Sequence, residues 1–302
     1  MVNQIIEITN PGFHISKARG FVSVNRDGVC TGRVAIDDLF AVIISTPSCS
    51  ISTNVLDTLS NNNIPVVVSG ANFLPSSITL PLTLNSNQFD VMNLQVCLSE
   101  PRRKRAWQQI VRAKIRNQDE VLLRAGRVSS RLKQLHGRVR SGDPDNIEAQ
   151  AARYYWQSLF GPNFRRDRDQ EGINAALNYA YTVLRACVAR GMCAAGLHPA
   201  FSLHHKNSRN VFNLADDLIE PLRPIADYAV HLNCDTFAGA LTPDSKKILA
   251  SLVNIQIDTL EGVSPLSLAS VKMCRSIVAY YSGDTEKIFL PKLPTPLAYN
   301  VC

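Results

Sequence analysis

No apolar run in the 302-residue sequence reaches the ~18 residues that a membrane-spanning helix needs. The opening stretch, MVNQIIEITNPGF, lacks the basic region and following apolar segment of a secretory signal. A soluble, cytoplasmic protein is therefore expected. None of the eight cysteines stands in a CxxC pair, and Cys187 and Cys193 lie in an alanine-rich apolar stretch where a reduced thiol behaves as a small hydrophobe. This spacing argues against a disulfide framework or a zinc-cysteine site. HExxH, the phosphate-binding GxxxxGK[ST] and an adjacent His-Asp pair are also missing, as are internal repeats and low-complexity segments.

Hydrophobic residues make up 45% of the chain, enough for a substantial core. The first ninety residues carry short runs rich in Val, Ile and Phe, broken by Gly, Pro and Asn: QIIEIT, FVSVNRDG, RVAIDDLFAVIIST and IPVVVSG. These read as strands, with Asp27-Gly28 as a hairpin turn and SISTNVLDTLSNNN as one short helix capped by Ser or Thr. From Arg102 the spacing turns helical. Trp107, Ile110, Val111, Ile115, Leu122 and Leu123 recur with basic residues between them. SGDPDN breaks this pattern and ends in residues suited to capping the next helix. EGINAALNYAYTVLRACVARGMCAAG is apolar on nearly every face and predicts a central, buried helix. SKKILASLVNIQI and LSLASVKMCRSIVAYYSG predict further helices, and the tail with three prolines predicts an extended end. The fold class is α+β multidomain. A small β-rich N-terminal domain, residues 1–90, joins near 88–100 to a larger all-α domain, residues 91–302.

Charge is uneven. Between Arg102 and Arg140 thirteen Arg or Lys face two acids, so this segment is +11 while the rest of the chain is −4. Such asymmetry points to a polyanionic partner. Arg102, Arg103, Lys104, Arg105, Arg112, Lys114 and Arg116 are candidate phosphate contacts, with Arg165, Arg166 and Arg168 as a second patch. For any one of them a solvated helix face is the competing reading.

HHKNSRNVFNLADDLIEPLRP, residues 204–224, sets two histidines before a helix with Leu214, Leu218 and Leu222 on one side and Asp216, Asp217 and Glu220 beside them. Asp217 and Glu220 share a face by their spacing of three. The segment by itself admits an ordinary helix start with an acidic first turn, or a set of metal ligands. Glu148 opens another helix, flanked by Ala149, Ala151, Ala152, Tyr155 and Trp156. A carboxylate there is either a first-turn acid or one that is paired or metal-bound.

NIEAQAARYYWQSLFGPNF, GINAALNYAYTVL, AAGLHPAFSLHHKN and FNLADDLIEPLRP, preceded by AKIRNQ, resemble in order the CRISPR-associated spacer-acquisition integrases, the Cas-one family. The likeness runs over roughly residues 102–227 and is closest to the type II branch. The resemblance implies that Glu148, His205 and Glu220 are metal ligands and catalytic residues, with Asp217 as a supporting or second-metal carboxylate. Such a ligand set suits Mg²⁺ or Mn²⁺. It also implies a metal-dependent endonuclease and integrase. In that reaction a DNA 3′-hydroxyl attacks a phosphodiester of the CRISPR repeat, inserting a short foreign fragment in antiviral defence. The implied partners are double-stranded DNA (the spacer donor and the repeat), a second copy of this chain as a homodimer, and a dimer of the small companion subunit, Cas-two. The RNA-guided effector nuclease is a further candidate. A DNA-binding scaffold would explain the charge but not the histidine and carboxylates, and an unrelated metal-dependent phosphohydrolase would explain the acids but not the basic stretch.

Overall fold

The computed structural model describes residues 3–69, 75–79, 87–205, 207, 210 and 212–293. The proline-rich tail lies, from residue 294 onward, outside these residues. The chain divides into two compact units, Met1–Ser86 and Asn87–Cys302. No helix among the described residues is long and apolar enough to cross a membrane.

The first unit contains β1 (Gln4–Ile8), β2 (Phe13–Ala18), β3 (Phe21–Arg26), β4 (Val29–Ala35), β5 (Leu39–Ile44), β6 (Cys49–Ile51), helix α1 (Thr53–Asn61), β7 (Val66–Ser69) and β8 (Pro75–Ile78). They form two four-stranded sheets, ordered β1-β5-β7-β8 and β4-β3-β2-β6. Every residue of β5, Leu-Phe-Ala-Val-Ile-Ile, is buried, as expected of a strand with parallel neighbours on both sides. The β3–β4 turn is the expected hairpin: Asp27 and Gly28 have φ of 51° and 79°, and Arg26 pairs with Val29. Ser52 caps α1 by position, in extended backbone, but its side chain makes no capping hydrogen bond.

The second unit is helical: α2 (Gln88–Cys97), α3 (Glu100–Arg124), α4 (Ser130–Arg138), α5 (Ile147–Phe160), α6 (Ile173–Ala195), α7 (Asn213–Ile219), α8 (Arg223–Leu232), α9 (Pro243–Ala250) and α10 (Leu266–Ser282). Residues 88–97, read from the sequence as part of a join, are the first of these helices. The apolar helix is α6, with 17 of its 23 residues buried; it packs on α7, α8, α9 and α10. Gly191 permits that closeness, since a Cβ there would lie 2.8 Å from Ser270 O of α10.

Two sequence expectations are corrected. The basic stretch is two helices, because Gly126 at φ 72° follows the end of α3 and Ser129 caps α4, accepting from Leu132 N–H at 3.2 Å. The unit is also not wholly helical. NIQI leaves the helical path, and Gln256–Thr259 (β9) pairs antiparallel with Gly262–Pro265 (β10). The Ile257-Asp258-Thr259 alternation and the Gly262 turn at φ 107° favour a hairpin over a further helical turn.

Candidate metal and DNA site

Three elements of the second unit deliver the candidate residues to one place. The start of α5 brings Glu148. Asn146 stands at the N-cap in left-handed backbone, yet the cap is made by Asp143, whose Oδ1 and Oδ2 accept from Ile147 and Glu148 N–H at 2.9 Å each. Two of the helix's unpaired N–H groups are thereby satisfied, and the first residues of α5 are held in place.

The end of α7 brings Glu220. Leu214, Leu218 and Leu222 are fully buried, as their spacing predicts, but the acids between them are not a solvated first turn. Asp217 is 0% exposed and Glu220 4%. Asp216 ion-pairs with Arg185 and accepts from Asn210 Nδ2 at 2.6 Å. The carbonyl after Glu220, on Pro221, accepts from Asn117 Nδ2 of α3 at 2.8 Å.

The loop before α7 brings the histidines, and Asp217 shapes it. Its Oδ2 accepts from Leu203 N–H (2.7 Å) and His204 N–H (3.0 Å), and its Oδ1 from His205 N–H (3.2 Å) and His205 Nδ1 (2.6 Å). A carboxylate can only accept, so His205 carries its proton on Nδ1 and keeps Nε2 for another partner. Both oxygens of Asp217 thus accept hydrogen bonds from the loop, and one of them holds the His205 ring. That bond raises the His205 pKa above its ordinary value, against burial that lowers it, with Glu220 among the contributing charges. His204 is exposed and stacks on the buried Trp107 of α3, centroids 4.3 Å apart and planes 3° from parallel, and the partial burial of its ring lowers its pKa. The two adjacent histidines thus have distinct surroundings.

What joins Glu148 to Glu220 is a residue that the sequence reading placed on DNA. Lys114 of α3, 6% exposed, bonds Glu148 Oε1 and lies 2.5 Å from Glu220 Oε2. Arg223, at the start of α8, pairs with the other oxygen of Glu220 at 3.1 Å. Burial would pull the Lys114 pKa down, but Glu220 and Glu148 outweigh it and leave it raised. Burial likewise pushes Glu220 up, and Arg223 and Lys114 carry it below the usual range. One sequence signal marks Lys114 as internal: it falls on the same helical stripe as Trp107, Ile110, Val111, Gln118 and Val121, all buried.

The basic candidates separate by what their donors do. Arg102 donates to Tyr280 O (2.9 and 2.7 Å) and Thr285 O (3.2 Å) and lies over the Tyr280 ring. Arg116 donates to Pro291 O, Arg112 to Val139 O, and Arg166 to Asn174 and Asn178. Arg102, Arg112, Lys114, Arg116 and Arg166 thus each place at least one donor on another group of the fold. Arg103 is half-buried, Lys104 is exposed but pairs with Glu100 at 2.8 Å, and Arg105, Arg165 and Arg168 are exposed.

Among the described residues no three of His, Cys, Asp and Glu are spaced as a ready-made metal cage. The chemistry of the cluster nonetheless fits a hard divalent cation. Two carboxylates from separate helices already share one cation. An imidazole nitrogen stands uncommitted to Asp217 beside them. Oxygen donors with one imidazole suit such a cation.

The family described as CRISPR associated protein Cas1 matches residues 6–234. The chain is 40% identical over 258 residues to the CRISPR-associated endonuclease Cas1 of Neisseria meningitidis serogroup C (strain 8013), covering 84% of each. Its fold is similar to that of a casposase bound to integration product, with a TM-score of 0.79 at 16% identity, covering 97% of this chain and 94% of that one. It is also similar to a chain of a Cas6-RT-Cas1–Cas2 complex, with a TM-score of 0.73 at 16% identity, covering 96% of this chain and 36% of that one. With a family match across most of its length and 40% identity to a relative of matching extent, the chain belongs to the Cas1 family of CRISPR-associated proteins.

Proposed function

We propose that this chain is a divalent-cation-dependent DNA nuclease and integrase. It would join a donor 3′-hydroxyl to a phosphodiester of the CRISPR repeat, releasing the repeat's own 3′-hydroxyl and inserting a short foreign fragment. One observation carries the reading: Glu148 and Glu220, from separate helices, meet on one buried ammonium beside a histidine whose ring Asp217 orients. Glu148, Glu220 and His205 would hold the cation, Mg²⁺ or Mn²⁺. When bound, it supplies charge neutralisation at a phosphate oxygen and stabilisation of the displaced oxygen. The chain's own groups supply the frame. Asp217 fixes the His205 tautomer, Arg223 fixes one oxygen of Glu220, and Asp143 fixes the helix turn carrying Glu148. Water in place of the donor hydroxyl gives strand cleavage by the same geometry.

The relative from Neisseria meningitidis is called an endonuclease, the casposase neighbour is bound to an integration product, and the third neighbour is part of a complex with Cas2. These support double-stranded DNA and a Cas2 dimer as partners of this chain. We extend the reading to a cytoplasmic homodimer, two copies of which the Cas2 dimer bridges, and to the RNA-guided effector nuclease as an associate.

The test is an integration assay with the full chain, its Cas2 subunit, a short duplex and a repeat-bearing plasmid. Joining is expected only with Mg²⁺ or Mn²⁺ and a donor 3′-hydroxyl. Glu148→Ala, Glu220→Ala and His205→Ala should abolish joining while leaving duplex binding nearly unchanged. His204→Ala, which removes the stack on Trp107 and an edge contact with the His205 ring, should be milder. Joining without a divalent cation, or full activity in Glu148→Ala, would return the cluster to a structural role.

A further inference from the structure

Glu220 already has a cation on each oxygen. Oε1 takes Arg223, whose guanidinium is also held over the Tyr181 ring at 4.9 Å. Oε2 takes Lys114, 2.5 Å away. Lys114 in turn spans to Glu148. The four side chains, two carboxylates and two cations, sum to zero formal charge, so the group is balanced as it stands. Without a cation between them, the half-buried Glu148 and the buried Glu220 would repel each other.

We propose that Lys114 is a resident counter-ion of the site: its ammonium holds Glu148 and Glu220 together in the metal-free protein and gives up at least one of them when a divalent cation binds. This rests on the reading of Glu148 and Glu220 as metal ligands and goes beyond it, because it assigns an opposing role to a residue that is not a ligand. An ammonium cannot donate an electron pair to a metal, and a divalent cation sharing its carboxylates meets it as a like charge. Of the two cations on Glu220, Lys114 is the exchangeable one. Its charge sits on a four-carbon stem with rotatable donors, whereas Arg223 is a planar group held on an aromatic face. Cation binding is therefore an exchange rather than the filling of a vacant cage, and the resident charge lowers affinity while preserving the carboxylate pair.

The experiment uses the full chain and Mn²⁺ as the probe, with titration calorimetry and thermal unfolding in chelator or Mn²⁺. Wild type is compared with Lys114→Met, which keeps the stem and removes the charge, and with Lys114→Arg, which keeps the charge. Lys114→Met should melt below wild type in chelator, gain more from Mn²⁺ than wild type does, and bind Mn²⁺ about tenfold more tightly, the scale of removing one like charge at close range. Lys114→Arg should stay near the wild-type affinity. A second measurement needs no variant: amine labelling of native wild type, read by mass spectrometry, should modify Lys114 faster with Mn²⁺ than with chelator. Equal or weaker Mn²⁺ binding in a folded Lys114→Met, or Lys114 labelling indifferent to Mn²⁺, overturns the proposal. The underlying metal-site reading fails separately, if Glu148→Gln and Glu220→Gln bind Mn²⁺ as wild type does.

Discussion

Asp227 shows how a single carboxyl group can be read for consequence without touching a reacting atom. It is 1% exposed and accepts from Tyr181 OH at 2.5 Å and Tyr155 OH at 3.1 Å, one helix turn beyond Arg223. Burial pushes its pKa up to about 7, while the two tyrosine hydroxyls and Arg223 pull against that rise. In the unfolded chain the same group titrates near the ordinary value of about 3.9. Below that value both states are protonated, and the contribution to stability is complete. As the pH climbs from about 4 to about 7, the unfolded chain releases its proton while the folded one retains it, so stability falls across that window. A difference of about three pH units corresponds to roughly 4 kcal/mol as an upper bound. Asp227→Asn, which cannot titrate, is expected to flatten this part of the curve. Urea unfolding midpoints at pH 4.5 and 7.5 check it: the variant should gain on wild type as pH rises, and parallel curves would show that Asp227 ionises normally. At this scale the sequence is only partly legible. Glu148, His205 and Glu220 can be singled out because motif order marks them. The roles of Asp217 and Lys114 depend on contacts across 12 and 106 residues, from Asp217 to His205 and from Lys114 to Glu220, which spacing does not encode.

Helix α3 carries more of the unit's organisation than its charge pattern suggests. Its apolar stripe is plain in the sequence, and so are the all-round apolar character of α6 and the Asp27-Gly28 hairpin, because each depends on local periodicity or backbone preference. What a long cationic side chain does is decided by whatever packs beside it. On α3 that neighbour includes the end of α10 and the segment after it: Arg102 binds the carbonyls of Tyr280 and Thr285, Gln109 binds the carbonyl of Glu286 and the N–H of Ile288, and Arg116 and Asn117 bind the carbonyl of Pro291. Asn117 reaches Pro221 with the same amide nitrogen, so the segment is tied to the helix turn next to Glu220. The β9–β10 hairpin escapes a periodicity reading for a related reason, since four apolar-alternating residues fit either element until a partner strand is known. Arg102→Ala would strip the carbonyls of Tyr280 and Thr285 of a charged donor and remove a cation from the Tyr280 face. A loss of about 1–3 kcal/mol is expected by denaturant unfolding, with duplex affinity nearly unchanged. A variant that unfolds like wild type but binds DNA poorly would reverse the assignment and make Arg102 a phosphate contact.

Across the whole chain the net charge of +7 is the residue of a strong local excess, and the fold separates that excess into charge used internally and charge left for solvent. Only the second kind can displace counterions from DNA. Arg105, Arg165 and Arg168 are exposed, while Arg102, Arg116 and Arg166 hold backbone carbonyls or asparagine side chains within the second unit. Both groups look alike in the sequence, with equal charge and comparable neighbours, so replacing each by alanine gives two variants of identical formal charge and opposite expectation. Cations that neutralise phosphates release condensed counterions, and the dependence of binding on salt should flatten by about 0.9 in log–log slope for each phosphate no longer neutralised. The Arg105, Arg165 and Arg168 triple variant should therefore show a shallower slope and weaker binding on duplexes of any sequence, because phosphate contacts position DNA without reading bases. Its Mn²⁺ affinity and thermal stability should stay near wild type, since none of the three touches the carboxylate cluster. The Arg102, Arg116 and Arg166 triple variant should lose stability and keep the wild-type slope for whatever fraction remains folded. Fluorescence anisotropy on a labelled duplex from about 50 to about 300 mM salt separates the two. Should the exposed triple variant keep the full slope, the DNA path must run over other cations, and the exposed residues Arg131, Lys133 and Arg138 on α4 become the next set to replace.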